Sequence, residues 1–356
     1  MIGKLAKKIL NKKQKNVADI SELLSSISQI ANSKESNLAI CIQNTDSSFL
    51  GVKNATLNLF PKSTIVLPAY YSEILLNESQ FRQIATEIKK HQFHKIIIST
   101  LPVAMNVFLD MLCESENVNV IFHGALSELS EPKNEKQLLK MIAYTQLGKI
   151  KRLGFVKSGL DKWAKKTFDI DCIQLQLKPL QLKSNSIRKI SDDSKIKIGI
   201  FGNTSFNKNL YNQIAAALAV DNSEIHTTIH TGFEEIGFEE RIVVHPFMNH
   251  HQFIDLLSQM TINLHLSFSE GMGGQVFTES LSQGIPCLTS YTNEYLKFDA
   301  DLLELLTVKQ YDNPWEIKNA IERVLEVNND DLMLRIVEYS KHIENQYHEL
   351  LEAFLK

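Results

Sequence analysis

Residues 263–290 read NLHLSFSEGMGGQVFTESLSQGIPCLTS. A short apolar run over 262–266 predicts a strand, followed by a glycine-rich loop that opens on an acid. A helix comes next, then a Gly284-Ile285-Pro286 turn and a second strand over 286–290. Gly271, Met272, Gly273, Gly274 and Gln275 bring backbone N–H groups to the helix N-terminus, where the dipole is positive and a phosphate is favoured. Glu279 falls about one turn into the helix, where its carboxylate can accept from two vicinal hydroxyls such as those of a ribose. Glu270, at the strand end, can face the polar groups of a bound sugar. The plainer alternative makes the glycines a helix-entry turn and both glutamates capping or surface charges. The order of strand, S-x-S-E-G, helix, G-I-P and strand favours the ligand site.

The same alternation extends in both directions. Strands are expected at 196–201 (IKIGIF), 225–230 and 241–245, and before them at 38–43 (LAICIQ), 63–67 (STIVL), 95–99 (KIIIS) and 118–122 (VNVIF). Residues 17–33 and 78–91 have helical character, the latter with a clear 3.6-residue period. Strands alternating with helices imply right-handed crossovers and mostly parallel sheets covered on both faces. Polar, serine-rich residues 181–194 lack a sustained period and mark a boundary. The expected organisation is a basic segment 1–16, an N-terminal domain 17–180, a linker 181–194, a C-terminal domain 195–329 and terminal helices over 330–356. A length of 356 residues suits two domains. Ligands in such sheets bind beyond the carboxyl ends of the strands.

Two further strand ends carry polar residues. In GIFGNTSFNKNL (199–210), Gly202 and Asn203 form a turn, Thr204 and Ser205 can donate hydrogen bonds, and Lys208 can meet a diphosphate as a point charge. The alternative is Asn207 as a helix cap with Lys208 solvated. His123-Gly124 lies just past the 118–122 strand, a place where a histidine alone is more often a structural hydrogen-bonder. His226 and His230 have metal-ligand spacing on a helix, but Thr227, Thr228 and Ile229 favour a strand, so zinc is discounted.

These segments together resemble the donor-binding region of GT-B glycosyltransferases, specifically retaining family 4-like enzymes. The resemblance implies a fold of two Rossmann-like, doubly wound parallel-sheet domains facing a central cleft, with the terminal helices packing back on the first. It places Glu270 on the donor sugar, Glu279 on the nucleotide ribose, Lys208 on the diphosphate and His123 on the sugar. It also puts Phe247, in the His245-Pro246-Phe247-Met248 loop, near the base, although core packing of that ring is an equal alternative. Glu270 and Glu279 are nine positions apart where the family has eight, which one extra residue in the Gly-Met-Gly-Gly loop explains. The Lys208 loop also lacks the arginine that many members carry. Residues 154–158 (GFVKS) resemble a segment that precedes the interdomain crossing.

The implied activity is sugar transfer from a nucleotide-diphosphate sugar to a glycan or lipid-linked acceptor in bacterial surface polysaccharide assembly. It is expected to be retaining and to need no metal or cofactor. Two other functions share the architecture: a nonhydrolysing UDP-sugar epimerase and a catalytically degenerate scaffold subunit.

Composition removes several classes. A net charge of -3 argues against a nucleic-acid binder. Cys41, Cys113, Cys172 and Cys287 are widely spaced in or beside apolar runs, which predicts buried reduced thiols and a cytoplasmic location. Residues 96–112, interrupted by Pro102, Asn106 and Asp110, fall short of a membrane span. The N-terminus lacks a secretory apolar core. Walker, nucleophile-elbow and N-terminal G-x-G-x-x-G signatures are absent. Residues 1–16 carry Lys4, Lys7, Lys8, Lys12, Lys13 and Lys15 around a stripe of Ile2, Leu5, Ala6, Ile9 and Leu10. Such a helix can lie on an anionic membrane, here the inner face of the cell membrane, or pack on the protein body.

Overall fold

The computed structural model describes residues 19–33, 35–44, 50–70, 73–74, 76–99, 101–102, 105–114, 117–130, 132–176, 195–202, 204–235, 237–238, 240–246, 248–271, 274–292, 299–327 and 329–356. The basic segment 1–16 and the linker 181–194 lie outside them. The chain forms two compact units, one of residues 1–177 with 350–356 and one of residues 178–349.

In chain order the first unit contains α1 (Ser21–Asn32), β1 (Asn37–Asn44), α2 (Leu50–Leu59), β2 (Thr64–Tyr70), β3 (Glu73–Ile74) and α3 (Glu78–Lys90). These are followed by β4 (Lys95–Ile98), α4 (Asn106–Cys113), β5 (Val118–Phe122), α5 (Pro132–Gln146), β6 (Ile150–Phe155), α6 (Leu160–Phe168) and β7 (Cys172–Gln174). The sheet order is β3-β2-β1-β4-β5-β6-β7. Every described residue of β4 is buried, the signature of a strand covered on both faces. Helix α3 shows why its sequence is helical. Asn77 and Gln80 form a reciprocal capping box, and Phe81, Ile84, Ala85 and Ile88 turn one apolar stripe to the core.

The first sheet is mostly parallel, as expected, with one exception at its edge. Strand β3 runs antiparallel to β2, with Ala69 opposite Ile74. A two-residue strand leaves no periodic signature, and β7, at three residues, is hidden in the same way.

The second unit contains β8 (Ile196–Ile200), α7 (Leu210–Leu218), β9 (Ser223–Thr227), β10 (Ile242–Val244), α8 (His250–Leu257), β11 (Ile262–His265), α9 (Gln275–Ser282), β12 (Cys287–Ser290), α10 (Ala300–Leu306), β13 (Thr307–Val308), α11 (Pro314–Glu326) and most of α12 (Asn329–Leu355). The described strands make one sheet in the order β10-β9-β8-β11-β12-β13, and every pairing is parallel. Both sheets thus share the doubly wound pattern in which the chain fills the sheet to one side of the unit's first strand and then crosses to its other side. The switch falls between β1 and β4 in one unit and between β8 and β11 in the other, which is where ligands of such folds bind.

Strand β9 stops at Thr227, short of the expected 230, because the Thr227 hydroxyl accepts from the Ile229 amide and turns the chain. His230 is therefore off the strand. The terminal segment is one helix rather than several. Its early turns place Leu332, Ile336, Tyr339 and Ile343 in the second unit's core. Its last turn belongs to the first unit, where Phe354 is fully buried and its carbonyl accepts from the Asn119 amide at 2.8 Å. All four cysteines are free thiols, but only Cys41 and Cys287 are buried, while Cys113 and Cys172 are half-buried. Desolvation pushes the Cys41 thiol up to about 12 and Cys113 up to about 11.

Candidate functional site

The loops that leave β8 and β11 are tied together by a set of mutual contacts. Phe206, Asn207 and Lys208 form a single 3-10 turn, and Asn209 then adopts a left-handed conformation before α7 begins. Asn207 is thus not the helix cap weighed above. Its carbonyl accepts from the Phe268 amide at 2.8 Å, and its side-chain amide reaches the Ser269 carbonyl at 3.4 Å. The Phe206 and Phe268 rings stack with centroids 5.1 Å apart. Buried Gln213 on α7 joins the two loops from below, accepting from the Leu266 amide and donating to the Lys208 carbonyl at 2.8 Å.

At the centre Lys208 Nζ forms an ion pair with Glu270 Oε1. The same oxygen accepts from Ser267 Oγ at 2.8 Å and lies 3.2 Å from His265 Nε2, which meets it as a charge neighbour without hydrogen-bond alignment. Burial pushes the Glu270 pKa up, but His265 and Lys208 outweigh it and hold the carboxyl well below the usual range. Glu270 is therefore a fixed anion. The described contacts all end on Oε1.

Gly274 stands at the N-cap of α9 with φ of 79° and no side-chain cap on that helix. A Cβ there would lie 1.8 Å from His265 Nε2, so only glycine allows the loop to close over this imidazole. The ring that helps to fix Glu270 is thus accommodated by a residue of the longer loop. One turn on, Glu279 is buried, and its Oε1 lies 2.8 Å from His250 Nε2. This excludes the surface-charge reading of Glu279. Asn249 and Gln252 form a capping box that starts α8 and sets His250 as its first residue.

Of the other expected residues, Gly202, Thr204 and Ser205 are exposed on the β8 loop, Gly271 is buried and Gln275 is the first residue of α9. Asn203, Phe247, Met272 and Gly273 lie outside the described residues. His123 belongs to the first unit, where its Nε2 is 2.8 Å from Ser99 Oγ. Desolvation pulls its pKa down to about 4.

His226 pairs with His245, not His230, at 2.9 Å, and its other nitrogen meets Glu224 at 3.0 Å. Among the described residues no group of three or more His, Cys, Asp or Glu is placed to hold a metal. Two Asp-x-Asp pairs serve local structure: Asp171 binds Arg152 at 2.9 Å, Asp299 caps α10, and Asp301 meets Arg335 at 2.5 Å.

Sequence reading missed His265, Gln213 and His250. Gln213 and His265 carried one weak signal, a polar residue interrupting an apolar face, which does not say what it meets.

No family model matches the sequence, and no curated protein sequence does either. Solved structures do match in shape. HepE from Anabaena, in complex with UDP and glucose, is 12% identical, with a TM-score of 0.62 over 88% of this chain and 99% of its own. Sucrose-phosphate synthase from Thermosynechococcus elongatus is 12% identical, with a TM-score of 0.61 over 90% and 96%. WaaG, a glycosyltransferase involved in lipopolysaccharide biosynthesis, is 12% identical, with a TM-score of 0.57 over 89% and 98%. At such identities the likeness establishes the fold: the chain has the two-domain α/β fold of the GT-B glycosyltransferases.

Gly274→Ala should lose more than about 1 kcal/mol in chemical denaturation, because left-handed strain adds to the overlap with His265. In the His265→Ala background the same substitution should cost less, a coupling that a double-mutant cycle reads directly. For His250, the hydrogen bond it donates to Glu279 raises the pKa above its ordinary 6.5, against burial. The pair's stabilisation is then complete below the unfolded value and fades as pH rises through the folded one. The stability of the wild type relative to His250→Gln should therefore decline as pH rises above about 6.5 in denaturant titrations. A constant difference would remove the His250–Glu279 ion pair.

Proposed function

We propose that the protein transfers a sugar from a nucleotide-diphosphate sugar to a glycan or lipid-linked acceptor. The observation that carries this reading is the Lys208–Glu270 pair at the loop before an uncapped helix, with the Glu279 carboxylate buried one turn behind. Support comes from similar folds solved with such donors, among them HepE with UDP-glucose and a trehalose-6-phosphate protein from E. coli bound with UDP-2-fluoro glucose.

In this reading the diphosphate meets the positive N-terminus of α9 and the remaining donors of Lys208, whose ammonium has three and gives one to Glu270. Breaking the bond between the anomeric carbon and the phosphate oxygen builds positive charge on the sugar and negative charge on the leaving group. Lys208 and the helix terminus stabilise the second. Glu270, held ionised, stabilises the first and offers Oε2 to a sugar hydroxyl. Glu279 accepts from the ribose hydroxyls, with His250 holding its other oxygen. These charges suit a reaction without a divalent metal, and retention of anomeric configuration follows from the resemblance.

The donor is to be found by thermal shift against UDP-, GDP-, ADP- and CMP-sugars, since a ligand that binds only the folded state raises its melting temperature. Glu279→Ala should then weaken that donor at least about 100-fold in calorimetry, the worth of two hydrogen bonds to a charged acceptor, while the fold stays intact. Unchanged affinity would refute the ribose role. Conversion of a UDP-sugar to its epimer without acceptor would replace the transferase reading.

The Lys-rich segment 1–16 supports placing the enzyme on an anionic membrane, near a lipid-linked acceptor. No described helix is long and apolar enough to cross one. Full-length protein should co-sediment with vesicles containing phosphatidylglycerol more than a variant lacking residues 1–16, and equal pelleting would end that proposal.

A further inference from the structure

The contacts between the loops that follow β8 and β11 run in register. Phe206 meets Phe268 ring to ring, Asn207 bonds to Phe268 through its carbonyl and to Ser269 through its side chain, and Lys208 pairs with Glu270. An aromatic step and an ionic step thus follow one another along one seam, entirely within the second unit. The ion pair has a part in the proposed reaction, and the ring pair has none.

Phe206 leaves 86% of its surface in water, more than any other large apolar side chain among the described residues. A single exposed apolar residue is ordinary, but a group of rings beside polar residues marks a place where a ligand sits. Here the ring is one of a group. It stacks on Phe268 at an interplanar angle of 24°, the Phe268 ring lies 5.8 Å from that of Tyr311, and Tyr311 packs against the core of the unit. The Asn209 side-chain amide donates to the Tyr311 carbonyl and ties this third ring to the β8 loop. With one face on Phe268, Phe206 turns its other face outward. A flat apolar surface, fixed in orientation by two further rings, therefore stands two residues along the chain from the Lys208–Glu270 pair.

We propose that Phe206 is a platform for the apolar face of the transferred sugar, a pyranose, and that it selects among donors by the shape of that face. This rests on the reading of the chain as a sugar-nucleotide transferase, in which Glu270 meets the sugar. A pyranose carries hydroxyls round its rim and C–H bonds across its faces. The C–H bonds are weakly positive and suit the negative face of an aromatic ring, while the rim hydroxyls suit a carboxylate such as Glu270. A nucleobase is flat as well, but the nucleotide's ribose falls to Glu279, one turn into α9. The part of the donor beside Phe206 is therefore the sugar. A sugar with an unbroken C–H face keeps the stack, and an axial hydroxyl on that face removes it.

Calorimetry on full-length protein tests this with two ligands, the nucleotide-sugar found by thermal shift and the same nucleotide without its sugar. Phe206→Ala, which keeps the fold because the ring is exposed, should bind the bare nucleotide as the wild type does. It should bind the nucleotide-sugar roughly 3- to 10-fold more weakly, the weight of one aromatic contact. Phe206→Trp, flat and larger, should restore donor affinity, and Phe206→Leu, apolar but not flat, should not. Equal weakening of both ligands, no weakening of either, or full rescue by leucine would overturn the platform and leave the transferase reading in place. If the wild type binds no UDP-, GDP-, ADP- or CMP-sugar, that reading fails and the platform falls with it.

Discussion

A lysine and a glutamate 62 residues apart share one proton-donating contact, and the geometry of the candidate site follows from it. Glu270 is largely withdrawn from water, so its charge is tolerable only while Lys208 and His265 stay beside it. Removing either partner would leave a desolvated anion. This requirement forces the loop after β8 and the loop after β11 to the same height above the sheet, and the backbone bond from Phe268 to Asn207 is a consequence of that alignment. Gln213 serves the same end from beneath, since its amide satisfies one backbone group in each loop. The topology contributes by making β8 and β11 neighbours. Two loops that are distant in sequence then leave adjacent strands at the place where helices diverge to opposite faces.

The outline of this fold was legible because buried parallel strands are written as continuous β-branched runs. KIII at β4 has no alternative as a helix surface, and the 3.6-residue stripe of α3 has none as a strand. What escaped was short or set by partners. Strands β3 and β13 are two residues each, too few for any period to show, and they exist because an adjacent edge offers unpaired backbone groups. The end of β9 was overrun for a related reason: Thr228 and Ile229 suit a strand, but nothing in their own composition reveals that Thr227 caps the turn.

At the site, residue types and spacing were enough to single out Lys208, Glu270, Glu279 and the glycines as a group. They could not show that Lys208 and Glu270 bind each other, because such a pairing depends on strand adjacency rather than local pattern. His265 was invisible for a sharper reason. A histidine on a buried strand is ordinarily a satisfied core residue, and its importance here comes from two neighbours, the Glu270 carboxylate and the bare backbone of Gly274. The nine-position spacing between the glutamates looked like a defect in a familiar motif. In three dimensions Gly274, which ends that loop, is the residue whose bare backbone makes room for the His265 imidazole.

The closing turn of α12 has a bearing on how the molecule is made. Phe354 fills space against Gly154 and Leu175, and the Asn119 amide in the middle of the first sheet has its partner on the Phe354 carbonyl. A ribosome that has finished residue 177 must still add the entire second unit before these atoms arrive, a delay of roughly 9–35 s at about 5–20 residues per second. Throughout that interval the earlier half has an open seam along β5 and β6, so its final consolidation waits on the later half. Synthesis order and folding order are thereby uncoupled in this chain, and the nascent sheet is exposed to chaperones, or to mispairing, for as long as the seam is open.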